Sequence, residues 1–255
     1  MIVMVVKTMR KNLSLFTFEL KMFFKNVINI IFVLIFPSCM ILLFGNIYGN
    51  NANEMFGGFG TVDIMIPGYI CLIVAVTGLM SLPITLCTYR ENKVLKRLRA
   101  TTITPLSIIG TQFAVNFIMT LVGIALLIVI SLIAFNFELI CSVLIVMLLT
   151  ILVICSIFSI GLLIASIFKS SKTATTIAMM LYFPMIFLSG ATMPIELMPD
   201  TVQKWANVLP LTHAVKVLKS AWLNKPFSDY SISFIVLISI FIVCSLLSVK
   251  CFKWE

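Results

Sequence analysis

Few residues in this chain could do chemistry, and they collect in two places. The first is Tyr89-Arg90-Glu91-Asn92-Lys93-Val94-Leu95-Lys96-Arg97-Leu98-Arg99, with five cations in the ten residues from Arg90. On a helix, Arg90, Lys93 and Arg97 share one face and Val94, Leu95 and Leu98 another. Such amphipathicity suits a short helix beneath a membrane, where another protein could push it. A basic loop that only enforces topology would not need it. The second place is Leu188-Ser189-Gly190-Ala191-Thr192-Met193-Pro194, followed by Pro199, Pro210 and Lys219. Here glycine and prolines mark sharp bends rather than a simple return of the chain.

Enzyme chemistry finds little purchase. No G-x-x-x-x-G-K-[ST], H-E-x-x-H or G-x-S-x-G occurs, so no P-loop, zincin or hydrolase elbow is present. The single histidine, His213, reads as an ordinary interfacial residue. Seven cysteines (Cys39, Cys71, Cys87, Cys141, Cys155, Cys244, Cys251) form no C-x-x-C pair and read as small buried hydrophobes. The long apolar blocks hold no Asp, Glu, Lys, Arg or His, which argues against a proton relay or a charged ion pore. Asn116, Thr120, Ser131, Ser156 and Ser159 are the candidates for a polar pathway lining. Hydroxyls in spans also bond their own backbone or a neighbouring helix, and both readings stay open for each.

What positions these residues is a set of membrane helices. Of 255 residues, 61% are hydrophobic and 11% charged, with mean hydropathy +1.18. A water-soluble domain cannot hide that much apolar surface. The sequence predicts an all-α polytopic membrane protein with spans near 27–47, 64–88, 106–135, 139–168, 173–189 and 231–249, each close to the roughly 20 residues a span needs. With six spans, 14 of the 18 Lys and Arg fall in 1–26, 89–105, 169–172 and 250–255. The positive-inside rule places both termini in the cytoplasm. The net charge of +9 therefore concerns membrane sides, and no nucleic-acid pattern accompanies it. No small-residue cleavage site follows the basic N-terminal segment at a suitable distance, so no cleaved signal peptide is expected.

Before the first span, Leu13, Phe16, Leu20, Phe23 and Phe24 form a helical stripe, predicting a helix in the headgroup plane. In the outer segment, Asp200 is expected to cap one short helix, with Gln203 completing a capping box. That helix should stop before Pro210. Thr212 should cap a second, with Ala214, Val215, Leu218, Ala221 and Trp222 on its apolar side. Two such helices would dip into the outer leaflet or sit on the bundle, with Trp205 and Trp222 at interfacial depth.

Taken together, these features resemble the type-2 ABC transporter permeases, the membrane subunits of bacterial drug and antibiotic exporters. The likeness is carried by Glu19-Leu20-Lys21, Phe36-Pro37, Phe44-Gly45 and Pro67-Gly68, then by Arg90-Glu91, Leu95, Leu98-Arg99, Thr101 and Thr104-Pro105-Leu106. Its most specific part is Leu188-Ser189-Gly190, Pro194, Pro199, Leu209-Pro210-Leu211-Thr212 and Lys219. Two departures stand out: Tyr89 replaces an acid and Lys219 an arginine. The second loses bidentate pairing.

The resemblance implies one permease domain over 1–255. It comprises an interfacial helix within 1–26, a coupling helix at 90–104, an outer re-entrant hairpin at 190–230, a last span at 231–249 and a cytoplasmic tail at 250–255. It implies a bacterial cell-membrane exporter of amphipathic cargo (drug, peptide antibiotic or lipid-like molecule) with both termini cytoplasmic. A second permease chain, identical or paralogous, and two ATP-binding cassette subunits would complete it. ATP and Mg would sit in those partners, and this chain would bind no cofactor, metal or nucleic acid. Arg90, Glu91, Lys93, Leu95, Leu98 and Arg99 would couple to the ATPase; Gly190, Pro194, Pro199, Pro210 and Lys219 would form the outer gate. The alternatives are a passive channel or scramblase, and a non-transporting sensor or scaffold.

If Leu95 and Leu98 dock on an ATPase, replacing both with Asp puts charge into an apolar contact. The double variant should insert normally yet lose most ATP-dependent transport. Normal transport at a verified membrane level would show that the loop only anchors topology.

Overall fold

A computed structural model describes residues 2–50, 59–94, 105–135, 142–192, 195 and 198–251. Among these no strand occurs, and six helices are long and apolar enough to cross a membrane. Helix α1 (Ile2–Lys25) leads into α2 (Val27–Tyr48), α3 (Thr61–Glu91), α4 (Pro105–Phe135), α5 (Val143–Ile167) and α6 (Ser171–Leu188). Two short helices, α7 (Asp200–Ala206) and α8 (Pro210–Trp222), precede α9 (Ser231–Cys251). The six expected spans are α2 to α6 and α9, with ends displaced by at most a few residues.

Helix α3 is the axis of the bundle. Its most apolar stretch is 83% buried, against 17% for the corresponding stretch of α9. From Ile66 to Val76 nearly every side chain is enclosed, so α3 reads as apolar on all sides, as a helix buried among others must. It packs against α2, α4, α5, α6 and α8.

Two widened π turns interrupt the spans, at Ile31–Ile35 in α2 and Val76–Ser81 in α3. Each lies just ahead of a proline, Pro37 or Pro83. Proline lacks an N–H, and its ring collides with the preceding turn; a widened turn relieves the collision. Leu82 N–H reaches back five residues to the Thr77 carbonyl, and Pro83 has no N–H for the carbonyl of Gly78. That carbonyl instead faces Gly161 on α5, where a Cβ would lie 1.9 Å from the Gly78 oxygen. The Val33 carbonyl, inside the other π turn, faces Gly123 on α4, with a Cβ there at 2.9 Å. Small residues thus let helices meet beside the π turns, and a Cα–H···O contact fits such an approach.

Gly161→Ala should therefore destabilise the protein by about 1–3 kcal/mol through overpacking. Gly110→Ala, on the same kind of helix with nothing within 4 Å, should be neutral or stabilising by up to about 1 kcal/mol. Thermal unfolding of the two variants side by side checks the difference.

Candidate functional site

The last turn of α3 sends three consecutive side chains to three different helices. The Tyr89 hydroxyl donates to Glu19 Oε2 on α1 at 2.6 Å. Arg90, only 9% exposed, donates from Nη1 to the carbonyls of Ala165 and Phe168 at 2.8 and 2.9 Å, where α5 ends and its last carbonyls lack helical partners. Glu91 Oε2 accepts from the Ser171 backbone N–H at 2.9 Å, capping α6 at an end that favours negative charge. One turn of α3 thereby fixes α1, the end of α5 and the start of α6.

This geometry corrects one expectation. Helix α3 runs through Arg90 to Glu91 and stops, and Lys93 lies beyond it with φ 55°. Arg90 and Lys93 are therefore not two steps along one continuous helical face. Leu95, Leu98 and Arg99 lie outside the described residues.

Sequence reasoning missed Glu19 as a structural centre. The buried stripe of α1 is Leu15, Glu19 and Phe23, all under 10% exposed and spaced by four. Leu13 and Phe24, assigned to that stripe, are exposed. A lone acid four residues from an apolar neighbour on either side was the available signal. Glu19 also accepts from Gln112 Nε2 on α4. Burial pushes its carboxyl above the ordinary range, and the hydrogen bonds from Tyr89 and Gln112 only partly oppose this.

At the opposite end, Gly190 follows α6 with φ 83°, the left-handed region where a side chain is costly. The next residue, Ala191, lies against Gly68 of α3: a Cβ on Gly68 would be 2.5 Å from the Ala191 carbonyl oxygen. Pro199 is the residue before α7 and Asp200 the first inside it, so Asp200 is not the cap. Gln203 Nε2 donates to the Met198 carbonyl rather than completing a capping box with Asp200. Helix α7 stops at Ala206, before Pro210 as expected, and Pro210 itself opens α8, because φ of proline suits a first helical position. Thr212 consequently sits inside α8, fully buried, and does not cap it.

Helix α8 packs on α3, α5, α6 and α9. Trp222 is buried while Trp205 is 71% exposed, so only Trp205 has the openness expected of an interfacial ring. Lys219, with Lys216, Lys225 and Gly190, lines a cavity of about 130 Å³. His213 bridges the Asn207 carbonyl (2.9 Å) and Ser233 Oγ (3.0 Å), and burial lowers its pKa, a structural role. Pro194 lies outside the described residues.

The five candidate lining residues are all buried. Thr120 donates to the Asn116 carbonyl and Thr77 Oγ1, Ser131 to Leu127, and Ser159 to the Ser156 carbonyl. Ser156 bonds both Leu152 and Leu237, joining α5 to α9. Asn116 alone among the five borders one of the cavities described for this bundle. A separate apolar cavity of about 440 Å³, bordered by Phe117, Ile128, Met147 and Trp222, opens between α4, α5 and the end of α8.

Because Glu19 carries a raised pKa, the folded state favours its protonated form. The stability it lends is present at acid pH and lost as pH rises through the raised folded value. Protection of α1 amides from hydrogen exchange should therefore weaken as pH rises above the ordinary glutamate range, and Glu19→Gln should flatten that slope.

Comparison with known proteins fits this architecture. A family model described as ABC-2 type transporter matches residues 11–223. The ABC transporter G family member 20 of Dictyostelium discoideum is 28% identical over 199 residues, 76% of this chain but 26% of that protein. Nodulation protein J of Sinorhizobium fredii is 44% identical over 43 residues, 17% of this chain and 16% of its own. The corresponding protein of Bradyrhizobium diazoefficiens is 43% identical over 42 residues, 16% of each chain. The matched part of this chain thus spans about a quarter or less of these relatives. With the family model covering most of its length and six helices able to span a membrane, the chain belongs to the ABC-2 type transporter family, as a membrane-spanning component of an ABC transporter.

Proposed function

We propose that the chain is the permease subunit of a bacterial exporter, paired with a second permease chain and driven by two ATP-binding cassette subunits that hold ATP and Mg. Both termini then face the cytoplasm, and the α7–α8 hairpin faces out. The observation that carries this reading is the reach of α3. Its last turn binds α1, α5 and α6 through Tyr89, Arg90 and Glu91, and its other end touches Ala191 beside Gly190. At 31 residues and about 1.5 Å per residue, α3 is about 46 Å long. Force applied at 90–104 by an ATPase would arrive at the hairpin through one rod. Arg90, Glu91, Lys93, Leu95, Leu98 and Arg99 are the coupling residues in this reading. Gly190, Pro194, Pro199, Pro210 and Lys219 form the gate.

Amphipathic cargo is favoured because no basic or acidic residue interrupts the apolar spans, while apolar and polar cavities lie between them. The chain carries no nucleotide motif, so the energy comes from its partners.

The test is reconstitution with ATP-binding partner chains, following flux of an amphipathic fluorescent dye and ATP hydrolysis together. ATP-dependent outward flux is expected. Gly190→Val, which places a β-branched residue where φ is positive at a cost of about 1–2 kcal/mol, should lower flux at least severalfold while partner binding and basal hydrolysis persist. Flux without nucleotide would identify a passive channel or scramblase, and partner binding without flux a sensor or scaffold. Wild-type export by Gly190→Val would refute the gate.

A further inference from the structure

Beside Glu19, between α1, the start of α2, the second half of α3 and α4, lies a cavity of about 300 Å³. Four of the side-chain donors around it are committed. Tyr89 O–H and Gln112 Nε2–H both go to Glu19 Oε2. Asn29 Nδ2–H goes to Ser81 Oγ at 3.0 Å, and Asn116 Nδ2–H to the Gln112 carbonyl at 2.9 Å. Two acceptor oxygens in this wall lack a donor. Asn116 is 1% exposed, and its Oδ1 is buried without a hydrogen-bond partner. A buried oxygen in that condition costs roughly 1–3 kcal/mol. Glu19, 3% exposed, has both its bonds on Oε2 and none on Oε1, and no described Lys or Arg pairs with it. Lys25 stands at the cavity's edge, exposed. The rest of the wall includes Met22, Phe23, Ile84 and Val115. The space is therefore bordered by a carboxyl group, an amide oxygen and apolar side chains.

We infer that this cavity is a binding site for an organic ammonium with a short apolar tail, its N–H groups donating to Glu19 Oε1 and Asn116 Oδ1 and its tail lying on Met22, Ile84 and Val115. An ammonium supplies donors and positive charge, which is what Glu19 Oε1 and Asn116 Oδ1 lack. A neutral alcohol satisfies one oxygen and leaves the charge uncompensated; a carboxylate repels Glu19. Burial already raises the Glu19 carboxyl's pKa, and a bound cation stabilises its ionised form. As a cargo-loading site the assignment rests on the transporter reading above; as a binding site it does not.

The test uses the full chain in phosphatidylcholine nanodiscs at about pH 8, titrated calorimetrically with hexylammonium, hexanol and hexanoate. Hexylammonium should bind saturably, and the other two at least about tenfold more weakly, as the loss of one charged hydrogen bond requires. Glu19→Gln keeps an oxygen for Tyr89 and Gln112 but turns an N–H into the cavity, and should weaken hexylammonium at least about tenfold. Asn116→Asp adds a second carboxylate and should tighten it, which decides the matter if Glu19→Gln does not fold. Equal binding of the three compounds, no saturable binding, or indifference to Asn116→Asp would overturn the site. Absent binding alongside intact ATP-driven flux would do so while leaving the transporter reading in place.

Discussion

A helix enclosed on nearly every side, as α3 is, can be approached closely only where a neighbour lacks a side chain. In lipid this matters more than in water, because apolar surface alone gives two helices little reason to associate and packing must do it. Carbonyls left without helical donors must also find a contact inside the protein. The pairing of Gly161 with Gly78, and of Gly123 with Val33, meets both demands at once. Both carbonyls lie in π turns ahead of a proline, and the glycines admit them. Remove that fit and α4 and α5 cannot reach the axis that sets the positions of everything else.

The charged groups that close α3 obey a second rule, which is to bond the ends of neighbouring helices. Burying Arg90 would be costly without the carbonyls of Ala165 and Phe168, and those carbonyls need a donor because α5 has just ended. Glu91 does the reciprocal service for the first turn of α6. Glu19 is the exception that defines a place of interest. Its carboxylate is buried with donors on one oxygen only, an arrangement that stability alone would have replaced with an apolar side chain.

The six spans, their order and the bends at Gly190 and Pro199 were legible because hydrophobic length and glycine or proline placement act locally. The cap assignments failed at Asp200 and Thr212 for a local reason as well: Pro199 and Pro210 preset the backbone and start each helix before those side chains can. Placing the start of α8 at Thr212 overlooked that proline is favoured at a first helical position. The Tyr89–Glu19 contact was illegible for a different reason. Seventy residues separate the partners, and no spacing rule reaches that far. Tyr89 registered only as a departure where the resemblance has an acid, while in the fold it is the donor that meets the acid on α1. Ser156 shows the same limit, since its bond to the Leu237 carbonyl depends on α9 lying beside α5.

Helix α3 therefore presents one end to the Glu19–Arg90–Glu91 cluster and the other to the hairpin, with a π turn at Val76–Ser81 between. A rod of about 46 Å that tilts by about 5° around its middle moves each end by about 2 Å, the scale of helix shifts in switching proteins. At the hairpin end that displacement matters, because Gly68 meets the Ala191 backbone with no side chain between them. A contact that close cannot stretch by 2 Å and persist, nor compress by 2 Å without driving the chain beside Gly190 away. Gly190, already at φ 83°, is the residue on that chain with the backbone freedom to follow. The same tilt at the other end acts on helices held by hydrogen bonds from one turn, so α1, α5 and α6 must move with it or lose those bonds. The two ends are mechanically one system for as long as α3 stays straight, and the widened turn at its centre is where that condition could be relaxed.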